Sequence, residues 1–139
     1  RFTAGLGING ECLPSEDNLL ELSDEIDRFG VPRARVSFTA ADNEKALSRH
    51  AVAVMTRILE AAGATATRVL ERTAHTLGTC RMSDDPSDGV VDRYGRSHDI
   101  DNLWIADNST FPSALIANPA LTQVALALRT AERMLAPQP

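Results

Sequence analysis

Cysteine is scarce in this chain: Cys12 and Cys80 are the only two among 139 residues. Two cannot build the multi-bridge framework of a disulfide-stapled domain, and no Cys-x-x-Cys or His-x-x-x-His spacing points to zinc. Both read as small buried or half-buried apolar side chains. Runs of one charge sign are also missing, which excludes a solvated interaction tail. A net charge of -5 disfavours a nucleic-acid surface. No apolar run approaches the ~20 residues of a membrane span. The opening residues Arg-Phe-Thr-Ala-Gly lack the layout of a secretory leader, and the sequence leaves a cytoplasmic or periplasmic location equally open. There is no internal repeat and no low-complexity linker. Asp84, Asp85, Asp88 and Asp92 lack the spacing of an EF-hand loop and read as a solvated acidic loop, so no metal site is expected. What remains is ordinary for a globular domain: 43% hydrophobic and 24% charged residues, in a length sufficient for one core.

A phosphate-binding glycine loop is absent as well. Gly5-Leu-Gly7-Ile-Asn-Gly10 matches the letters G-x-G-x-x-G. That fingerprint needs a strand before it and a helix opening inside it. Only four residues precede Gly5, and Pro14 follows within a strand-like run. The segment is expected to be a glycine-relaxed strand over residues 5–13, so the chain has no self-sufficient dinucleotide site.

Period-2 patterning predicts strands at 18–22, 33–39 and 65–73, with a turn at Asp27-Arg-Phe-Gly30. A helix is predicted from Thr39–Asp42 to Ala62, with Leu47, Ala51, Val54, Met55, Ile58 and Ala62 on one face and Gly63 as a left-handed cap. Residues 75–101 read as a long loop rich in Gly, Asp, Pro and Ser. Leu103–Ala106 reads as a short apolar strand. A last helix, expected to be buried, runs from Pro119 to about Leu135 with Asn118 as its N-cap. An irregular stretch as long as 75–118 is unusual in a compact domain unless it is functional. Its Trp, Ile, Leu and Phe residues need something to pack against.

Within that stretch stand His75-Thr-Leu-Gly-Thr-Cys-Arg-Met82, then Val90-Val-Asp92, Asn102-Leu-Trp-Ile-Ala-Asp107-Asn-Ser109-Thr-Phe-Pro112 and Asn118-Pro-Ala-Leu-Thr122. In this order they resemble the C-terminal region of the glucose–methanol–choline (GMC) oxidoreductases, FAD enzymes that oxidise alcohols and sugars. The resemblance is specific over 75–135 and weaker over 1–74. Two positions depart from it: Ser83 stands where glycine is common, and Arg96-Ser-His-Asp99 replaces the usual Arg-Val-His-Gly.

The resemblance implies an α+β fold that is part of a larger one. Residues 1–74 would supply mostly antiparallel strands and one amphipathic helix to a substrate domain. Residues 75–139 would form the flavin-contacting end of the FAD domain. It implies oxidation of a CH–OH group by proton abstraction and hydride transfer to flavin. His75 would take the hydroxyl proton, a task suited to a side chain with an ordinary pKa near ~6.5, and Asn118 would hydrogen-bond the substrate oxygen. One substrate atom between two hydrogen bonds sets their separation at about 4–7 Å. Asp107 and Asn108, in the turn that ends the short strand, and Pro119, Leu121 and Thr122, at the helix start, would contact FAD. The unpaired N–H groups of that start suit the negative charge of reduced flavin. Gly10-Glu-Cys-Leu-Pro14 and Gly30-Val-Pro32 resemble bacterial sugar and gluconate dehydrogenases, which implies a sugar, polyol or sugar acid as substrate. The implied partners are that small molecule and an N-terminal FAD-binding domain, without which tight FAD binding is not expected. Two other readings stay open: a non-catalytic α+β binding module, and a subunit of a split enzyme lacking its own flavin.

Overall fold

The computed structural model describes residues 3–70 and 74–136. The elements follow in the order β1 (Leu19–Ile26), β2 (Pro32–Ser37), α1 (Asp42–Ala61), a short 3-10 turn η1 (Asn108–Thr110) and α2 (Ala120–Leu135). The mixture of an antiparallel pair and two helices is α+β, as expected.

The hairpin owes its turn to Asp27. Its Oδ1 accepts the N–H groups of Phe29 at 2.8 Å and Val31 at 3.0 Å. Gly30 takes φ 81, and the N–H of Asp27 closes the turn on the Val31 carbonyl at 2.9 Å. Strand β1 pairs antiparallel with β2 from Leu19↔Ser37 to Leu22↔Ala34, and an irregularity between Leu22 and Ile26 brings Ile26 opposite Pro32. Proline is admissible there because it opens its strand. Asn18 closes the other end, donating to the Thr39 carbonyl and accepting the Thr39 N–H at 2.7 Å. The cross-strand pairs Arg35–Glu21 and Arg33–Glu25 are solvent-exposed and contribute at most about 1 kcal/mol each. A two-stranded sheet exposed on both faces is not self-sufficient in water.

Helix α1 matches its predicted span. Its N-cap is Ala41, which supplies no side-chain hydrogen bond, in place of the expected Thr39 or Asp42. Gly63 adopts φ 92, the left-handed cap the sequence predicted. Three predicted strands are not formed as such. Residues 5–13 are irregular apart from a bridge of Cys12 to Ala114, because the glycines leave few side chains to pack. Residues 65–70 form no strand, and 71–73 lie outside the described residues. Leu103–Ala106 contributes only a bridge from Trp104 to Arg96, because its partner is a loop and not a strand.

The densest packing lies in the predicted loop. Val91 is fully buried. Around it the Ser83 N–H reaches the Val91 carbonyl, Val90 that of Arg81, His98 that of Val90, and Ile105 that of Gly95, the last at 2.8 Å. Asp92 Oδ1 accepts from the N–H groups of Tyr94 and Arg96. Arg93 pairs with Asp84 and holds that carboxyl below the usual carboxylate range, while the Ser87 N–H and hydroxyl do the same for Asp85. Helix α2 lies along this loop. Thr130 Oγ1 donates to the Tyr94 carbonyl at 2.7 Å, Arg129 donates to the Arg93 carbonyl, and the Arg129 and Arg133 guanidinium groups stand 5.8 and 5.5 Å from the Tyr94 ring centre.

Helix α2 was expected to be buried, and it is not. Thr130 is its one buried residue, while Leu121, Val124, Leu128 and Leu135 are exposed. The same holds along the hairpin, where Leu22 of β1, Phe29 of the turn and Val36 of β2 face solvent. A folded monomer of 15.0 kDa exposes about 7,000 Å²; this chain exposes 10979 Å². The apolar faces are amphipathic as the sequence predicts, but nothing among the described residues covers them.

Candidate functional site

The chain enters the site at His75, the one non-glycine residue with positive φ (58) among the described residues. Histidine tolerates this region better than most side chains, yet a left-handed non-glycine backbone is uncommon and clusters at functional sites. The residue is half-buried, and its imidazole has no hydrogen-bond partner among the described residues. Three residues on, Gly78 turns at φ 86, where an added Cβ would stand 3.0 Å from the Phe111 carbonyl. The N–H of Gly78 meets the Asn108 carbonyl at 3.3 Å, that of Cys80 meets Ser109 and that of Met82 meets Thr110, both at 2.9 Å. The segment after His75 is thereby laid against residues 108–111, with Phe111 buried beneath. Arg81 braces the loop through the carbonyl and carboxylate of Asp88.

Asp107 caps the η1 turn, accepting the Ser109 N–H at 2.8 Å and the Ser109 hydroxyl. Asn108 is half-buried, and its Oδ1 is buried without a partner among the described residues. The chain then passes Ala114, whose N–H meets the Cys12 carbonyl at 3.1 Å, while Ser113 donates to Glu11. This joins the N-terminal segment to the site. Burial, reinforced by Glu44, pushes the Cys12 thiol up, which favours its uncharged form.

Asn118 is not the helix cap. The buried Pro119 occupies that position, at φ -79 and ψ -11, and its carbonyl accepts the first helical N–H, from Gln123, at 2.8 Å. The preset proline φ lets the helix start one residue later than the sequence suggested. The Asn118 side chain is exposed and makes no hydrogen bond among the described residues. With no side-chain cap, the N–H groups of Ala120, Leu121 and Thr122 have no partner among the described residues, and Leu121 and Thr122 are both exposed.

The predicted residues fall on two stretches of backbone. His75 precedes the segment Gly78–Met82 that is bonded to residues 108–110, and Asp107 to Thr122 run from the η1 turn into α2. Sequence reasoning missed Gln123, whose Nε2 donates to the Ala106 carbonyl at 2.6 Å. Its signal was a carboxamide standing among Leu121, Val124 and Ala125. His98 serves the loop, its Nε2 lying 3.0 Å from the Ser83 carbonyl. No helix among the described residues is long and apolar enough to cross a membrane, and no cluster of potential metal ligands occurs among them.

Comparison with known proteins gives this arrangement a context. The C-terminal sequence profile of the GMC oxidoreductases matches residues 14–127. The chain is similar to the paromamine 6'-oxidase of Streptomyces fradiae, with 35% identity over 124 residues, 86% of this chain and 23% of the relative. It is similar to the 2-methyl-1,2-propanediol dehydrogenase of Mycolicibacterium austroafricanum, with 34% identity over 88% of this chain and 23% of the relative. It is also similar to the fructose dehydrogenase large subunit of Gluconobacter japonicus, with 32% identity over 91% of this chain and 24% of the relative. The chain thus spans less than a quarter of the length of these oxidoreductases. A match over most of the chain, together with the ordered motifs from His75 to Thr122, shows that this chain belongs to the GMC oxidoreductase family and corresponds to its C-terminal region.

Proposed function

We propose that the chain is the substrate- and flavin-facing C-terminal part of an FAD-dependent oxidoreductase that converts a CH–OH group of an alcohol or sugar to the carbonyl. The observation that carries this is the left-handed His75 backbone, whose imidazole has no partner among the described residues and whose following segment, Gly78 to Met82, is bonded to residues 108–110. His75 accepts the hydroxyl proton, and Asn118 donates from its carboxamide to the same oxygen and fixes its orientation. FAD, when bound, supplies the acceptor for the two electrons of the oxidation.

The donors and acceptors present suit one end of that cofactor. The free N–H groups of Leu121 and Thr122 suit an oxygen carrying negative charge. The Asn108 oxygen, unpartnered among the described residues, suits a hydroxyl donor, and Asp107 and Pro119 are the further residues assigned to the cofactor. The cradle for the phosphates is not among these residues, which is why the reading divides the chain at about residue 74 and assigns the phosphates to an N-terminal FAD-binding domain. That domain would also cover the apolar faces of α2. An alcohol, sugar or polyol is the substrate class that the relatives' names support.

Calorimetric titration tests the division of labour. The 139-residue chain alone is expected to bind FAD more weakly than micromolar, whereas the complete protein purifies yellow and loses its flavin absorbance on anaerobic mixing with an alcohol or sugar substrate. Sub-micromolar FAD binding by the chain alone would overturn the division, and a complete protein without flavin would overturn the enzymatic reading in favour of a binding module.

A further inference from the structure

We infer that Gln123 is a positioning residue, whose Nε2–H···O bond to the Ala106 carbonyl fixes the first turn of α2, and with it Asn118, relative to the Asp107–Asn108 turn. This rests on the role proposed above for Asn118.

The bond is short, at 2.6 Å, and spans 17 residues of sequence. Gln123 also donates its backbone N–H to Pro119 at 2.8 Å, so one residue closes the helix start and ties it to the end of the apolar segment 103–106. The other α2 anchors, Arg129 and Thr130, lie about two turns further along the helix and grip residues 93–94 instead. They hold the helix body and leave its start free to tilt. No side chain caps that start, and Gln123 carries the first α2 side chain bonded outside the helix among the described residues.

The remaining carboxamide oxygen, Oε1, is buried without a partner among the described residues. A buried unpaired acceptor opposes folding, and an apolar side chain of the same length would avoid that penalty. Ala106 is exposed, so water could satisfy its carbonyl if the tether were lost. Glutamine is therefore poorly explained as a stabilising choice and better explained as a geometric one. Small displacements of a group that orients substrate have large kinetic consequences.

The test uses the complete flavin-loaded protein with Gln123→Met and Gln123→Glu. The methionine variant should keep its flavin content and Tm. Its flavin reduction in a single turnover should slow about tenfold with little change in apparent substrate Kd, the pattern of lost orientation. Amide hydrogen exchange at residues 123–126, whose N–H groups form the first helical bonds, should quicken. In the glutamate variant the ionised carboxylate cannot donate, so its rate relative to wild type should be low near neutral pH. That ratio should rise as pH falls toward the carboxyl range, where the protonated acid donates to Ala106. Unchanged exchange at 123–126 would refute the tether whether or not the protein oxidises alcohols. Faster exchange with an unchanged reduction rate, or a rate loss matched by loss of flavin and Tm, would refute the positioning role while leaving the proposed reaction intact.

Discussion

Replacing His75 with alanine in the complete protein is expected to slow flavin reduction by alcohol substrate by ~10² or more, with flavin content close to that of wild type. The size is that of removing a general base. Retention of flavin follows from the local structure. The segment after His75 is held by backbone bonds from Gly78, Cys80 and Met82 to residues 108–110, none of which involves the imidazole. Alanine also tolerates the left-handed backbone less well than histidine, which adds strain of at most about 1 kcal/mol, since histidine is only several-fold enriched in that region. His75→Asn separates the effects, because asparagine accepts that backbone and does not serve as a base. Stopped-flow bleaching should find both variants slow. A His75→Asn enzyme reducing its flavin at the wild-type rate would remove His75 from the chemistry.

Gly95→Ala should produce the largest loss of stability among the glycine positions. Gly95 has φ +85, and an added Cβ would stand 2.5 Å from the Ile105 carbonyl and 3.1 Å from Thr130 Oγ1. Both neighbours are fixed: the Gly95 carbonyl accepts from Ile105, and Thr130 is bonded to Tyr94. Relief requires separating α2 from the loop around Val91. Strain and backbone displacement together predict about 3–5 kcal/mol, in the range reserved for buried disruptions. Gly30→Ala supplies the contrast. Its φ is +81, but open space surrounds it, so only the left-handed strain of about 1–2 kcal/mol applies. Thermal unfolding of the two variants in the complete protein should separate them by several degrees. Equal losses would mean that the Gly95–Ile105 contact is not the lock between loop and helix.

Elements with a clean period were legible in the sequence. The α1 span, the Asp27–Gly30 turn and both flanking strands follow from alternation, helical spacing and glycine at positive φ. The candidate site was legible as an ordered set of motifs, since His75, Asp107 and Asn118 stand in recognisable surroundings. Two features were not legible, for physical reasons. Residues 83–105 look like a solvated loop because their order comes from backbone bonds and Asx turns around a single side chain, Val91, which periodicity does not register. Helix α2 looks buried because its apolar residues cover most of its circumference, yet Leu121 and Leu135 are among the most exposed residues of the chain. Sequence pattern reports which faces demand cover; it does not say whether the same segment of chain provides it. The displaced helix cap is the third lesson. Asn118 and Pro119 are both good helix-start residues, and proline takes the position because its φ is already set.

The most direct measurement of the central claim is a crystal structure of the complete flavin-loaded protein with an alcohol-bearing substrate analogue bound. The account predicts that the His75 imidazole and the Asn118 carboxamide hydrogen-bond the same substrate oxygen, about 4–7 Å from one another as two such bonds require. His75 and Asn118 on opposite faces of an ordered loop, with the analogue's hydroxyl on neither, would contradict it.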